Sequence, residues 1–195
     1  MSLFLPFSNR AKQWEPHALA LRKLARVQAC GLLDPWQLAT KVGLRVLDGR
    51  EAMDLLTEED RRHLRYEANH EWSGGVYPKP LPDGSFLCIL NPNHSRRRCK
   101  ITLMEEIVHT YLKHVPSKVM LEGDGLQFRD YDGDQEKEAY GIGAAALLPW
   151  AAFYSSINSG QSIEAMAELY EVTVQLIEYR IKITGAYKFF RSRQR

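Results

Sequence analysis

Between Thr102 and His114 the chain interleaves the apolar residues Leu103, Ile107, Val108 and Leu112 with Glu105, Glu106 and His109. That spacing predicts an amphipathic helix, and its apolar density predicts that the helix runs through a core. Carboxylates in such a setting need partners, because an unpaired charge is costly away from water. Glu105 and His109 are four residues apart, so they share a helix face and can converge on one ion. Glu106 then sits beside that ion, where a general base is wanted. Two glutamates and a histidine also occur on ordinary solvated helices; the apolar surroundings favour the metal reading here.

The rest of the composition narrows the setting. At 195 residues the chain is long enough to bury a core without staples, and its hydrophobic (45%) and charged (26%) shares are ordinary for a globular protein. A net charge of +2 is too mild to demand a nucleic-acid partner. Cys30, Cys88 and Cys99 are odd in number and unclustered, which predicts reduced thiols in a cytoplasm. Met1 to Phe7 has an apolar run but neither the basic lead nor the cleavage pattern of a signal peptide. No apolar stretch approaches the roughly 18 residues that a membrane span needs.

Punctuation along the chain predicts the elements. A helix is expected from Trp14 to about Ala29, ended by Gly31, and a short one from Pro35 to Lys41, stopped at Gly43. Leu44–Leu47 alternates like a strand before Asp48-Gly49. Thr57 with Asp60 suits the cap of a helix running to about His70. Strands follow at Trp72–Tyr77 and Phe86–Leu90, with a turn from Pro78 to Gly84 between them. The motif helix starts at Ser95 or Arg96. Residues 116–134 read as loop, and helix returns from about Gln135 to Pro149. Ser162 to Gly185 reads as two short helices with a turn near Val172-Thr173, before a basic end at 188–195. The class expected is α+β: a small three-stranded sheet packed with helices, the motif on a central helix, and a C-terminal helical pair.

Two ligands on one helix need a third from elsewhere, with an open position left for water. The helix beginning Glu136-Lys137-Glu138-Ala139 supplies it, since Ala139, Gly141, Gly143, Ala144, Ala145 and Ala146 permit close packing. Glu138 is the candidate third ligand and Glu106 the candidate base, acting on a water that the ion activates. For the group that stabilises the oxyanion, Tyr111, Tyr131 and Tyr140 are all eligible. This is the layout of H-E-x-x-H with Glu105 at the first histidine.

Other signals carry less. Glu67-Ala68-Asn69-His70 and Glu106-Ile107-Val108-His109 would together suit a di-iron bundle, but strand-like segments separate them. Asp130-x-Asp132-x-Asp134 lacks the glycine and glutamate of a calcium loop. His114 reads as a solvent-facing helix end, and Arg96-Arg97-Arg98 as a solvated face or a contact for phosphate or acidic substrate. The 162–184 pair could read DNA as a helix-turn-helix, although Glu164, Glu168, Glu171 and Glu178 would repel phosphates against Arg180 and Lys182.

Leu103 to His114, followed by Glu136-x-Glu138-Ala139 and Ala144 to Pro149, resembles the ImmA/IrrE family of metallopeptidases. Trp72-Ser73-Gly74, the stretch Ala167 to Thr173, and Tyr179-Arg180-Ile181 are similar to that family as well. The resemblance implies a zincin-like domain over residues 1–160 with a helical pair and basic tail over 161–195. It implies one zinc ion and cleavage of a regulatory protein such as a helix-turn-helix repressor. His109 and Glu138 fall on metal ligands, Glu106 on the catalytic base, and Glu105 on the family's first ligand histidine. With Glu105 there the ligands carry one more negative charge, so zinc lowers the pKa of its water less, and harder ions such as manganese or iron(II) gain ground. A chain that kept the fold without the chemistry would instead serve as a binding or regulatory module.

Overall fold

The computed structural model describes residues 5–28, 30–47, 51, 58, 62, 72–116, 118–122 and 126–187. They form two compact units, one of residues 35–139 and the other of 1–34 with 140–195. Of the helix expected over 57–70 only residues 58 and 62 are described, both helical; the Glu67–His70 motif, the Asp48-Gly49 turn and the basic end lie outside the described residues.

The 35–139 unit holds the motif. Helix α1 (Asn9–Leu24) belongs to the other unit, so the first element here is α2 (Pro35–Lys41), followed by β1 (Leu44–Leu47), β2 (Gly74–Pro80) and β3 (Phe86–Leu90). The strands form the expected three-stranded sheet in the order β1-β3-β2, with β1 parallel and β2 antiparallel to β3. Phe86 to Leu90 is the most apolar strand and takes the centre. Strand β2 runs on through Pro78 and Pro80, where a turn was expected. It lies at the sheet edge and its register shifts between Val76 and Pro80, which is where prolines are tolerated in sheets.

Helix α3 (Arg96–Leu112) carries the motif and packs on α2, β2 and β3. Ser95 caps its start by accepting from the Arg98 amide, and nine of its residues are buried, from Cys99 through His109. Its basic first turn is engaged on neighbouring elements: Arg96 lies over the Trp36 ring, and Arg98 donates to the Ser73 hydroxyl at 3.1 Å. Beyond α3, residues read as loop form an antiparallel hairpin, β4 (Lys118–Glu122) with β5 (Leu126–Asp130), and β5 lies against β2. Leu126 and Phe128 alternate with polar residues, and Val119-Met120-Leu121 is an apolar run; neighbouring glycines and acids obscured that signal. Helix α4 (Gly133–Leu147) then leaves this unit at Ala139.

The second unit is helical: α1, the rest of α4, α5 (Trp150–Asn158), α6 (Ile163–Leu169) and α7 (Val174–Thr184). Helix α1 begins at Asn9, earlier than expected, because Ser8 caps it, and Pro16 is accommodated inside it. Helix α5 was not anticipated; Pro149, read as a terminator, is its N-cap. The α6–α7 pair matches expectation, with Gly185 closing α7 in the left-handed conformation. Arg180 does not face solvent: it is fully buried and donates to Glu15 at 3.2 Å, and Glu15 also accepts the Trp150 amide. The exposed charges of the pair are therefore Glu164, Glu168, Glu171 and Glu178 against Lys182, an acidic surface that repels nucleic-acid phosphates.

Gly74 sets how closely α3 can lie on the sheet. A Cβ there would come within 2.9 Å of the Ile89 carbonyl oxygen and of Thr102 Cγ2 on α3. Gly74→Ala is expected to lower stability by about 1–3 kcal/mol in urea unfolding, as overpacking does. Gly133→Ala, in open space, is expected to stay within about 0.5 kcal/mol.

Candidate metal centre

All the side chains of interest belong to the 35–139 unit. Helix α3 ends at Lys113, which takes the left-handed conformation (φ 57°). The reversal lets the His114 amide donate to the His109 carbonyl at 3.0 Å and folds the His114 ring back beside His109. The His114 side chain is only 8% exposed, so the solvent-facing reading is corrected. Its Nδ1 lies 2.9 Å from Nδ1 of His109. His109 is 2% exposed, and the Tyr131 ring stacks on it at 3.7 Å between centroids and 15° between planes.

Helix α4 brings its carboxylates to the same place. The Asp132 carboxylate accepts the amides of Asp134 and Gln135 at 2.9 and 3.0 Å, which caps the helix and holds Asp132 below the usual carboxylate range. Glu136 Oε1 then stands 3.6 Å from His109 Nε2, and Glu138 Oε2 stands 3.3 Å from His114 Nε2. Glu138, the expected third ligand, is thus hydrogen-bonded to His114, and Glu136 is the α4 carboxylate that faces His109.

Electrostatics tie Glu105 into the same cluster. Burial, then the nearby charges of Glu106 and Glu136, push its carboxyl up to about 8, with Arg98 pulling the other way. Glu106 keeps its Oε2 out of solvent, and its charge adds to the burial that holds the Cys88 thiol well above its normal range. Burial and the neighbouring His109 lower the pKa of His114, and Glu138 offsets part of that. Glu105, Glu106 and Glu136 are thus close enough to act on one another, and Glu136 faces the buried imidazole, a negative field that a divalent cation would neutralise.

Among the described residues, no three His, Cys, Asp or Glu side chains already enclose a cation position. One pair of donors, His109 and Glu136, is nevertheless spaced to share one. The 3.6 Å from His109 Nε2 to Glu136 is longer than a hydrogen bond, and it is close to the spacing of two ligands on one tetrahedral ion. Of the tyrosines considered, Tyr131 lies on this site, whereas Tyr111 is 36% exposed and Tyr140 packs on Tyr179 in the helical unit. Sequence reasoning did not single out Glu136 or His114, both of which the fold brings beside His109. The Glu136-x-Glu138 pair was visible, but which of the two meets His109 depends on how α4 registers against α3.

An α+β unit with a glutamate–histidine helix over a small sheet, and a second acid-bearing helix beside it, defines a zincin-like peptidase domain. The model of peptidase family M78, described as the IrrE N-terminal-like domain, matches residues 56–182. The chain belongs to this family of metal-dependent peptidases, in agreement with the ImmA/IrrE resemblance of its motifs. No curated protein matches it significantly. No helix among the described residues is long and apolar enough to cross a membrane.

Because the folded protein holds the Glu105 proton up to about 8, against an ordinary 4.5, metal-free protein loses stability as pH rises through that window. Glu105→Gln is expected to stabilise metal-free protein by about 1–2 kcal/mol at pH 7. The gain should vanish below pH about 4.5, as read by denaturant unfolding in chelator.

Proposed function

We propose that this chain is a metal-dependent endopeptidase that cleaves a regulatory protein, such as a helix-turn-helix repressor, in a cytoplasm. Glu105, His109 and Glu136 would hold the ion, with Glu106 as the general base. The observation that carries this reading is the buried His109 Nε2, beyond hydrogen-bond reach of Glu136 and one helical turn from Glu105. The bound ion would supply Lewis-acid activation of water and of the scissile carbonyl.

The chain's own groups supply the rest. Glu106 takes a proton from the attacking water and hands it to the leaving amine. Tyr131 fixes the plane of the His109 ring by stacking. Glu105 and Glu136 as two carboxylate ligands would bring the centre close to neutral, which would suit manganese or iron(II) as well as zinc. The described cysteines are all free thiols, in keeping with a reducing compartment.

A second reading, a binding or regulatory module without peptidase chemistry, draws on Glu105. Its carboxyl stays protonated to about 8 in the absence of a cation, so the ion must displace a proton to bind.

Loading with zinc or manganese, followed by incubation with candidate repressors, separates the two. Glu106→Gln is expected to cut cleavage by about 10²-fold or more with metal content unchanged. His109→Ala is expected to lose the metal. Full metal uptake with no cleavage of any repressor tried would favour the module, and His109→Ala protein with wild-type metal content would overturn the site.

A further inference from the structure

We infer that His114 and Glu138 form a positioning pair that holds His109 with its proton on Nδ1 and its lone pair on Nε2. The functional meaning rests on the reading of His109 as the imidazole ligand, but the assignment itself rests on distances within the chain.

The deduction starts from the outermost group. An ionised carboxylate only accepts hydrogen bonds, so Glu138, 3.3 Å from His114 Nε2, requires the proton of His114 to be on Nε2. A neutral imidazole has one donor and one acceptor nitrogen, so His114 Nδ1 is the acceptor. That atom is 2.9 Å from His109 Nδ1, and the proton between them therefore belongs to His109. His109 Nε2 is left bare. The remaining distance agrees: a proton on Nε2 would draw the Glu136 carboxylate in to about 2.7–2.9 Å, and it stands off at 3.6 Å.

The pair thus decides between two states of the site. With the proton on Nδ1, the bare Nε2 faces Glu136 and is open to a cation. With the proton on Nε2, His109 would hydrogen-bond Glu136, and both would be withdrawn from metal binding. The Tyr131 stack, only 15° from parallel, resists the ring flip that would put carbons where the two nitrogens meet His114 and Glu136. Glu138 is 42% exposed, so it can be changed without emptying a core position. It acts through His114, not on the ion.

The test uses the full-length, ¹⁵N-labelled, metal-free chain at pH 8, with long-range ¹H–¹⁵N correlation of the imidazoles and zinc affinity by calorimetry. Wild-type protein is expected to show His109 protonated on Nδ1, a result that needs no variant to fold. Glu138→Lys puts a donor where the acceptor was and is expected to invert the chain, moving the His109 proton to Nε2. His114→Phe removes the acceptor and should do the same. Zinc affinity is expected to fall about 10–100-fold in both, the usual cost of losing such a partner. Wild-type His109 with its proton on Nε2, or both variants with wild-type tautomer and zinc affinity, would overturn the proposal. An Nδ1-protonated His109 in protein that takes up neither zinc nor manganese would support the pairing while sinking the metal-ligand reading.

Discussion

A buried imidazole has two ring nitrogens to satisfy and little freedom in how to satisfy them, and His109 is 2% exposed. One nitrogen is occupied by His114 and one ring face by Tyr131. The other nitrogen points at a carboxylate that does not close on it. The local fold serves this arrangement. Gly74 lets α3 settle on the sheet, Lys113 turns the chain back under it, and Asp132 starts α4 where its carboxylates reach both histidines.

Charge is the second constraint. Glu105 is buried beside the charges of Glu106 and the half-exposed Glu136, and the cost appears as a Glu105 carboxyl that keeps its proton to about 8. A divalent cation held there would offset that repulsion. Under the proposed ligand set, Glu105 in place of a neutral ligand would draw the ion more tightly toward oxygen but leave less positive charge to acidify water. A centre built as proposed would favour harder ions, and Glu106 would carry more of the proton transfer than it would beside two histidines.

Much of the fold was legible because its punctuation is local. Gly43, Ser95 and Gly185 end or begin their elements as side-chain chemistry dictates, and α2, β1, β3, α3 and the α6–α7 pair fall where the spacing put them. Errors arose where one signal had two meanings. Pro149 starts a helix as readily as it stops one, and the prolines of β2 mark an edge strand as well as a turn. Within the site, Glu105, Glu106 and His109 could be grouped from helical spacing alone. The roles of Glu136, Glu138 and His114 could not, because they depend on the packing register of two helices and one left-handed residue. Arg180 shows the same limit: its charge suggested a nucleic-acid contact, and only packing against Glu15 revealed a buried ion pair.

The central claim is that His109 Nε2 is a cation ligand flanked by Glu136 and Glu105. Diffraction at the zinc absorption edge, from crystals grown with ample zinc, tests it most directly. An anomalous peak is predicted at about 2.0–2.1 Å from His109 Nε2, with both carboxylates drawn in around it and His114 still bridging Nδ1 to Glu138. The contrary result is a peak-free site in which Glu136 has closed onto a protonated Nε2.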